Sequence, residues 1–216
     1  MSSGSIFDED YFLRGKATGK SLYENYRWLP SLTIPMAQSI VNHCCIHRGA
    51  RILDFGCARG YVVKALRGLG YDAFGVDISH WAIDNADEET KPYLECVTHG
   101  SPYLEGKYDW IIAKDVLEHV QFVDLVIPHL MSMATEGIFA VVPLSRFDRG
   151  RYIIEDYEKD VTHIQRWKLT TWASMFMNVG WCVELAYRVP GVKCNYYKPG
   201  WESGNGFITC RRIKEE

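Results

Sequence analysis

The chain has 216 residues, 47% of them apolar and 24% charged, with a formal net charge of -3. That length holds one well-buried core in a single compact globular unit and is too short for two ordinary domains. The acidic balance excludes a general nucleic-acid binder, and no apolar run approaches the roughly 18 residues of a membrane span. The opening Met1-Ser-Ser-Gly-Ser lacks the basic and apolar regions of a signal peptide. Seven cysteines are scattered without a C-x-x-C pair. They read as free thiols in a reducing compartment, so a cytoplasmic protein is expected.

Residues 1–49 read as an N-terminal helical extension. "SLTIPMAQSIVNHCC" suits an amphipathic helix packed on a sheet, and the earlier "YFLRGKATGKSLYENYRWLP" suits a covering lid. From 50 to 216 strand-like and helix-like stretches alternate, the pattern of an α/β domain with a mostly parallel sheet. A strand over 51–55 runs into a helix over 60–69, with Val63, Leu66 and Leu69 on one face. A second strand over 73–76 ends at Asp77, and Ser79 is placed to cap a helix through Trp81 and Ile83. Strands follow over 94–97 and 109–113, then a helix through Val123, Leu125, Ile127 and Leu130, and a strand over 137–142 stopped by Pro143. The charged and aromatic stretch 144–160 reads as a long functional loop. A helix over 170–179 stops at Gly180, and strands over 181–189 and 207–211 close the sheet.

The turn Gly56-Cys-Ala-Arg-Gly60 between the first strand and helix poses a ligand question. It lacks the Gly-Lys-Ser/Thr of a nucleoside-triphosphate loop, and position 58 is not the middle glycine of a dinucleotide turn. Asp54 would also face a pyrophosphate with like charge. A ligand with an ammonium, a sulfonium and no phosphate removes the conflict, and S-adenosylmethionine has all three properties. Asp54 suits the ammonium, and Gly56 and Gly60 let the backbone approach at a helix N-terminus that suits the carboxylate. Asp77, 23 residues beyond Asp54, is one βαβ unit away, placed for the ribose hydroxyls, with Ile78 against the adenine.

"LDFGCARG" (53–60), "GVDIS" (75–79), "YDWIIAKDVLEHV" (108–120) and "NVGWCVE" (178–184) occur in this order. Together they resemble the class I SAM-dependent methyltransferases. The resemblance implies a Rossmann-like seven-stranded α/β sheet, mostly parallel with an antiparallel last strand, and S-adenosyl-L-methionine as cofactor. "CVTHGSPY" (96–103) departs from the family's Gly-Asp pair, so Thr98, His99 and Gly100 stand for the adenine contact by position alone. Cys57 lines the site through its backbone in the family and otherwise packs as a small hydrophobe. Arg59 reads as a solvated helix-start residue. Lys114 and Asp115 end the fourth strand, at cofactor, substrate or plain loop. The resemblance also implies that Tyr11 or Arg14 in the N-terminal segment meets the methionine carboxylate, with packing as the alternative role.

Methyl transfer to a hydroxyl needs alignment and a proton acceptor, and histidine suits that role near neutral pH. His119 follows the fourth strand. His163, with Asp160 as orienting partner, lies in the region that builds acceptor sites. Either can instead be a hydrogen-bonded structural histidine. Asp115, Glu118 and His119 are spaced i, i+3, i+4, which on a helix gives one face for a hard divalent ion. Small-RNA 2′-O-methyltransferases and some quinone-pathway O-methyltransferases look similar here and use such ions; no metal is expected for this chain. The expected activity is methyl transfer to a small-molecule or glycan-like acceptor at oxygen, as a monomer or homodimer. N-methylation, SAM cleavage without an acceptor, or SAM binding without turnover in a sensor or partner subunit are the other readings.

Overall fold

The computed structural model describes residues 6–97, 106–193 and 204–213. Seven strands form one sheet in the order β3-β2-β1-β4-β5-β7-β6. They are β1 (Arg51–Phe55), β2 (Asp72–Asp77), β3 (Leu94–Cys96), β4 (Tyr108–Lys114), β5 (Ala134–Pro143), β6 (Trp181–Ala186) and β7 (Asn205–Arg212). Strands β1 to β5 pair in parallel, and β7 inserts antiparallel between β5 and β6. This is the Rossmann-like architecture expected from the motifs.

Side chains alternate between the two faces, and both faces are covered, so the central strands read as continuous apolar runs. Leu53, Ile111, Ile138 and Ile208 face α6 (Val123–Met133) and α7 (Leu169–Phe176), where Trp172 and Phe176 complete one core. Ile52, Ile112, Phe139 and Phe207 face the other way, onto α3 (Pro30–His43) and α4 (Tyr61–Gly68). Pro30 opens α3, where a missing N–H is harmless. Ala37, Ile40 and Val41 bring that helix into the same core as Leu66 of α4. Two short helices precede it, α1 (Glu9–Leu13) and α2 (Gly15–Thr18). A fifth, α5 (His80–Asp84), starts at Ser79, whose hydroxyl accepts the Ala82 N–H at 3.0 Å.

Several boundaries differ from the sequence reading. The fifth strand begins at Ala134 because α6 runs straight into it with no intervening loop. Leu125, expected on the inner face of α6, is 68% exposed. Helix α7 ends at Phe176 and β6 at Ala186, both short of the expected spans. The stretch 144–160 carries an isolated bridge, Ser145 to Tyr152, and a 3-10 helix, Glu155–Lys159. No described helix is long and apolar enough to cross a membrane.

Candidate active site

A cavity of roughly 330 Å³ opens at the C-terminal ends of β1, β2 and β4. Its walls include Gly56 and Ala58 from the glycine turn, Asp77 and Ile78 after β2, and Asp115 and His119 after β4. Phe7, Tyr11, Phe12 and Tyr23 roof it from the N-terminal segment. Five of the expected cofactor residues therefore line the cavity: Tyr11, Gly56, Asp77, Ile78 and Asp115. Asp54, Cys57, Gly60 and Lys114 stand outside its wall. Thr98, His99 and Gly100 lie outside the described residues.

The glycine turn is held open from below. Gly56 and Cys57 donate their N–H groups to the Val76 carbonyl at 2.8 and 3.0 Å. Gly56 has φ +81, and a Cβ there would sit 2.4 Å from Val116 Cγ2. Gly60 caps α4 in the left-handed region that glycine tolerates. Cys57 packs its sulfur against Gly75, where a Cβ would meet it at 2.7 Å, so its side chain belongs to the core.

The acids are arranged for a cationic nucleoside. Asp77 accepts the Ala58 N–H at 2.7 Å and the Ser79 N–H at 2.8 Å, one on each oxygen. Each oxygen keeps a further acceptor position for a ribose hydroxyl. Burial raises the Asp77 carboxyl despite these donors. Asp54 is 4% exposed and has no hydrogen-bond partner among the described residues. Burial pushes its carboxyl up to about 7, with Lys114 opposing and Asp77 adding to the rise. A buried acid without a donor is costly, and an ammonium such as that of S-adenosylmethionine would offset that cost. The residues present fit that cofactor.

Asp115 departs from the expected helix face. Its φ is 56°, and only Leu117–His119 form a turn, of 3-10 type. Its carboxylate bridges Lys114 at 2.6 Å and Lys193. Burial alone would raise it, but the two ammonium groups hold it well below the usual carboxylate range. Lys193 also donates to Tyr157 Oη and Asn205 Oδ1 at 3.2 and 3.1 Å. Nothing in "GVKC" marks that lysine in the sequence.

His119 lines the cavity, whereas His163 lies behind it with an 8% exposed side chain. The two rings are 4.8 Å apart. His119 Nδ1 meets Thr162 Oγ1 at 2.7 Å, and burial with His163 nearby pushes its pKa down to about 4. His163 Nδ1 donates to the Tyr157 carbonyl at 2.9 Å, and burial lowers its pKa too. Glu118, Asp115's neighbour in the turn, is buried and raised to about 8 by burial and by Asp115. The groups that converge are thus Glu118, His119 and His163, with ligand atoms within 4.8 Å of one another. Ligands about 2.1 Å from one ion sit closer together than that widest spacing, so this set would have to contract to hold a metal. Asp115 is not part of it.

Tyr11 gives its hydroxyl proton to Asp160 at 2.9 Å. Arg14 pairs instead with Asp10 on the surface. Arg59 is no solvated bystander: it donates to the Asn85 and Tyr26 carbonyls at 2.7 and 3.3 Å and lies over Tyr61 and Trp81.

A family model described as a methyltransferase domain matches residues 36–185. The chain belongs to that methyltransferase family. The enzyme is a SAM-dependent methyltransferase, and S-adenosylmethionine is its cofactor. A curated relative, the ubiquinone biosynthesis O-methyltransferase of Albidiferax ferrireducens, is 28% identical over 97 residues. That match spans 40% of this chain and only 37% of the relative. The fold is similar to magnesium protoporphyrin IX methyltransferase from Synechocystis with bound SAM, at TM-score 0.65 and 16% identity over 98% of both chains. It is similar also to the plantazolicin methyltransferase BpumL in complex with SAH, at TM-score 0.63 and 14% identity over 85% of this chain and 84% of that one.

Proposed function

We propose that this methyltransferase acts on a hydroxyl of a small-molecule or glycan-like acceptor, with His119 as proton acceptor. The observation that carries the reading is a histidine in the cavity wall right after β4, next to Asp115: His119, neutral at pH 7 and without a hydrogen-bond partner on Nε2 among the described residues, whereas the other histidine of that wall, His129, sits on α6. S-adenosylmethionine supplies an electrophilic methyl group. The chain binds it through Asp77 and Asp54, excludes water with Phe7, Tyr11 and Phe12, and takes up the acceptor's proton. Buried Asp160, already accepting from the Tyr11 and Thr162 hydroxyls, makes this side of the cavity polar and favours a polar acceptor edge. The O-methyltransferase relative is consistent with oxygen as the site.

The test is methyl transfer itself. Labelled S-adenosylmethionine is presented with a panel of phenols, sugar hydroxyls and amines, and S-adenosylhomocysteine is quantified. Hydroxyl acceptors are expected to turn over, and His119→Gln is expected to lower kcat by about 10²- to 10⁴-fold with cofactor affinity unchanged. His163→Gln is expected to lower the unfolding temperature more than kcat. Turnover of amines alone, insensitive to His119→Gln, would overturn the reading in favour of N-methylation. Tight cofactor binding with no acceptor at all would favour a SAM-binding partner or sensor.

A further inference from the structure

Behind His119 stand two buried side chains, Thr162 and Asp160; the role inferred for them rests on His119 being the proton acceptor. Thr162 gives its hydroxyl proton to Asp160 Oδ1 at 2.5 Å, and its backbone N–H reaches the same oxygen at 2.9 Å. The Tyr11 hydroxyl donates to Asp160 Oδ2. A hydroxyl has one proton to give and two lone pairs to offer. With the Thr162 proton committed to Asp160, its oxygen can only accept from His119 Nδ1, 2.7 Å away. Nδ1 must then carry the hydrogen. In a neutral imidazole the other nitrogen is left as the acceptor, and that nitrogen is Nε2, on a ring that lines the cavity.

We propose that Thr162 and Asp160 are positioning residues that lock His119 as the Nδ1–H tautomer, so that Nε2 faces the acceptor as the base. The acceptor O–H bond breaks toward Nε2 while its oxygen bonds the methyl carbon, whose former bonding pair stays on the departing sulfur. The imidazolium so formed is stabilised through Thr162 by the Asp160 carboxylate. His163 does not share the arrangement: its Nδ1–H is taken by the Tyr157 carbonyl, and it stands outside the cavity wall. The chain of hydrogen bonds is local, since Asp160 and Thr162 flank one residue, and it reaches the roof through Tyr11.

Tautomers are read directly from the ring-nitrogen shifts of uniformly 15N-labelled protein near pH 7, without cofactor or acceptor. The His119 signals are assigned by their loss in His119→Gln. The wild type is expected to carry hydrogen on Nδ1. Thr162→Val is expected to release the ring to the Nε2–H form and to lower kcat roughly 10- to 10³-fold while the acceptor KM holds. Thr162→Ser keeps the hydroxyl and is expected to restore both. An Nε2–H wild type, an unchanged tautomer in Thr162→Val, or a Ser variant as slow as the Val variant would overturn the proposal. If Thr162→Val fails to fold, the wild-type spectrum and the Ser variant decide alone. The two readings fail differently. A wrong acceptor assignment gives the expected spectrum without methyl transfer; a wrong positioning role gives the wrong spectrum whatever the acceptor.

Discussion

On the proposed function, Asp54 is the carboxyl that meets the cofactor's ammonium. Its pKa of about 7 means that it is largely protonated in the empty site below that pH and ionised above it. An ammonium binds the ionised form, so cofactor affinity should rise with pH through about 7 and fall up to tenfold per unit below it. Above about 8 the ligand's own amine loses charge, so the window to measure runs from about 5.5 to 7. Titration calorimetry across that window is expected to show the slope in the wild type and a flat, weaker profile in Asp54→Asn. A slope that survives the substitution would place the titrating group elsewhere. Glu118, His119 and His163 invite a different measurement at the same scale. Because that set is too open to clasp an ion as it stands, adding Mg²⁺ or Mn²⁺ to chelator-treated enzyme is expected to leave kcat unchanged. A stimulated rate would show that the set contracts around a metal.

The glycine turn shows what a single element demands. Gly56 needs a positive φ, and it needs bare space against Val116 on the β4 side. Gly56→Ala is expected to cost about 2 kcal/mol or more, from strained backbone and steric conflict together, a drop of roughly 4–8 °C in Tm for a chain of this size. Adding Val116→Ala should recover the steric share and leave the backbone share, and a full recovery would refute the conformational part. The turn itself was legible from residue types alone, because Gly56 and Gly60 both take a positive φ that glycine tolerates. The loop after β4 was not. The spacing of Asp115, Glu118 and His119 suggests a helix face, but Asp115 takes a left-handed backbone and turns toward Lys193, 78 residues on. Long-range pairing of that kind leaves no periodic trace. His119 over His163 is a similar case: both sit in plausible sequence contexts, and only the packing decides which ring meets the cavity. Thr162 carries no signal beyond its place two residues after Asp160.

At the scale of the whole molecule, the order of elements was readable because the central strands are buried on both faces and the longer helices on one. The N-terminal segment was readable only as a cover, and how it is fastened came from the structure. The Ser79 hydroxyl donates to the Phe7 carbonyl at 2.5 Å, and Arg59 to that of Tyr26. Phe12 stacks on Trp81, with centroids 5.5 Å apart. Binding S-adenosylhomocysteine should therefore slow backbone hydrogen exchange over 7–13 together with 56–61 and 77–82, as one cooperative unit. Protection confined to the glycine turn would mean that the roof moves independently of the floor.

The fastening has a kinetic side. Tyr26 and Phe7 are tied to the glycine turn and to the cap of α5, while Tyr11 is tied to Asp160 on the acceptor side. A departing thioether that passed beneath this segment would have to wait for those contacts to loosen. If this segment covers the bound cofactor, the contacts that shield the chemistry from water would also pace the release of the spent cofactor, so that shielding and turnover would be set together.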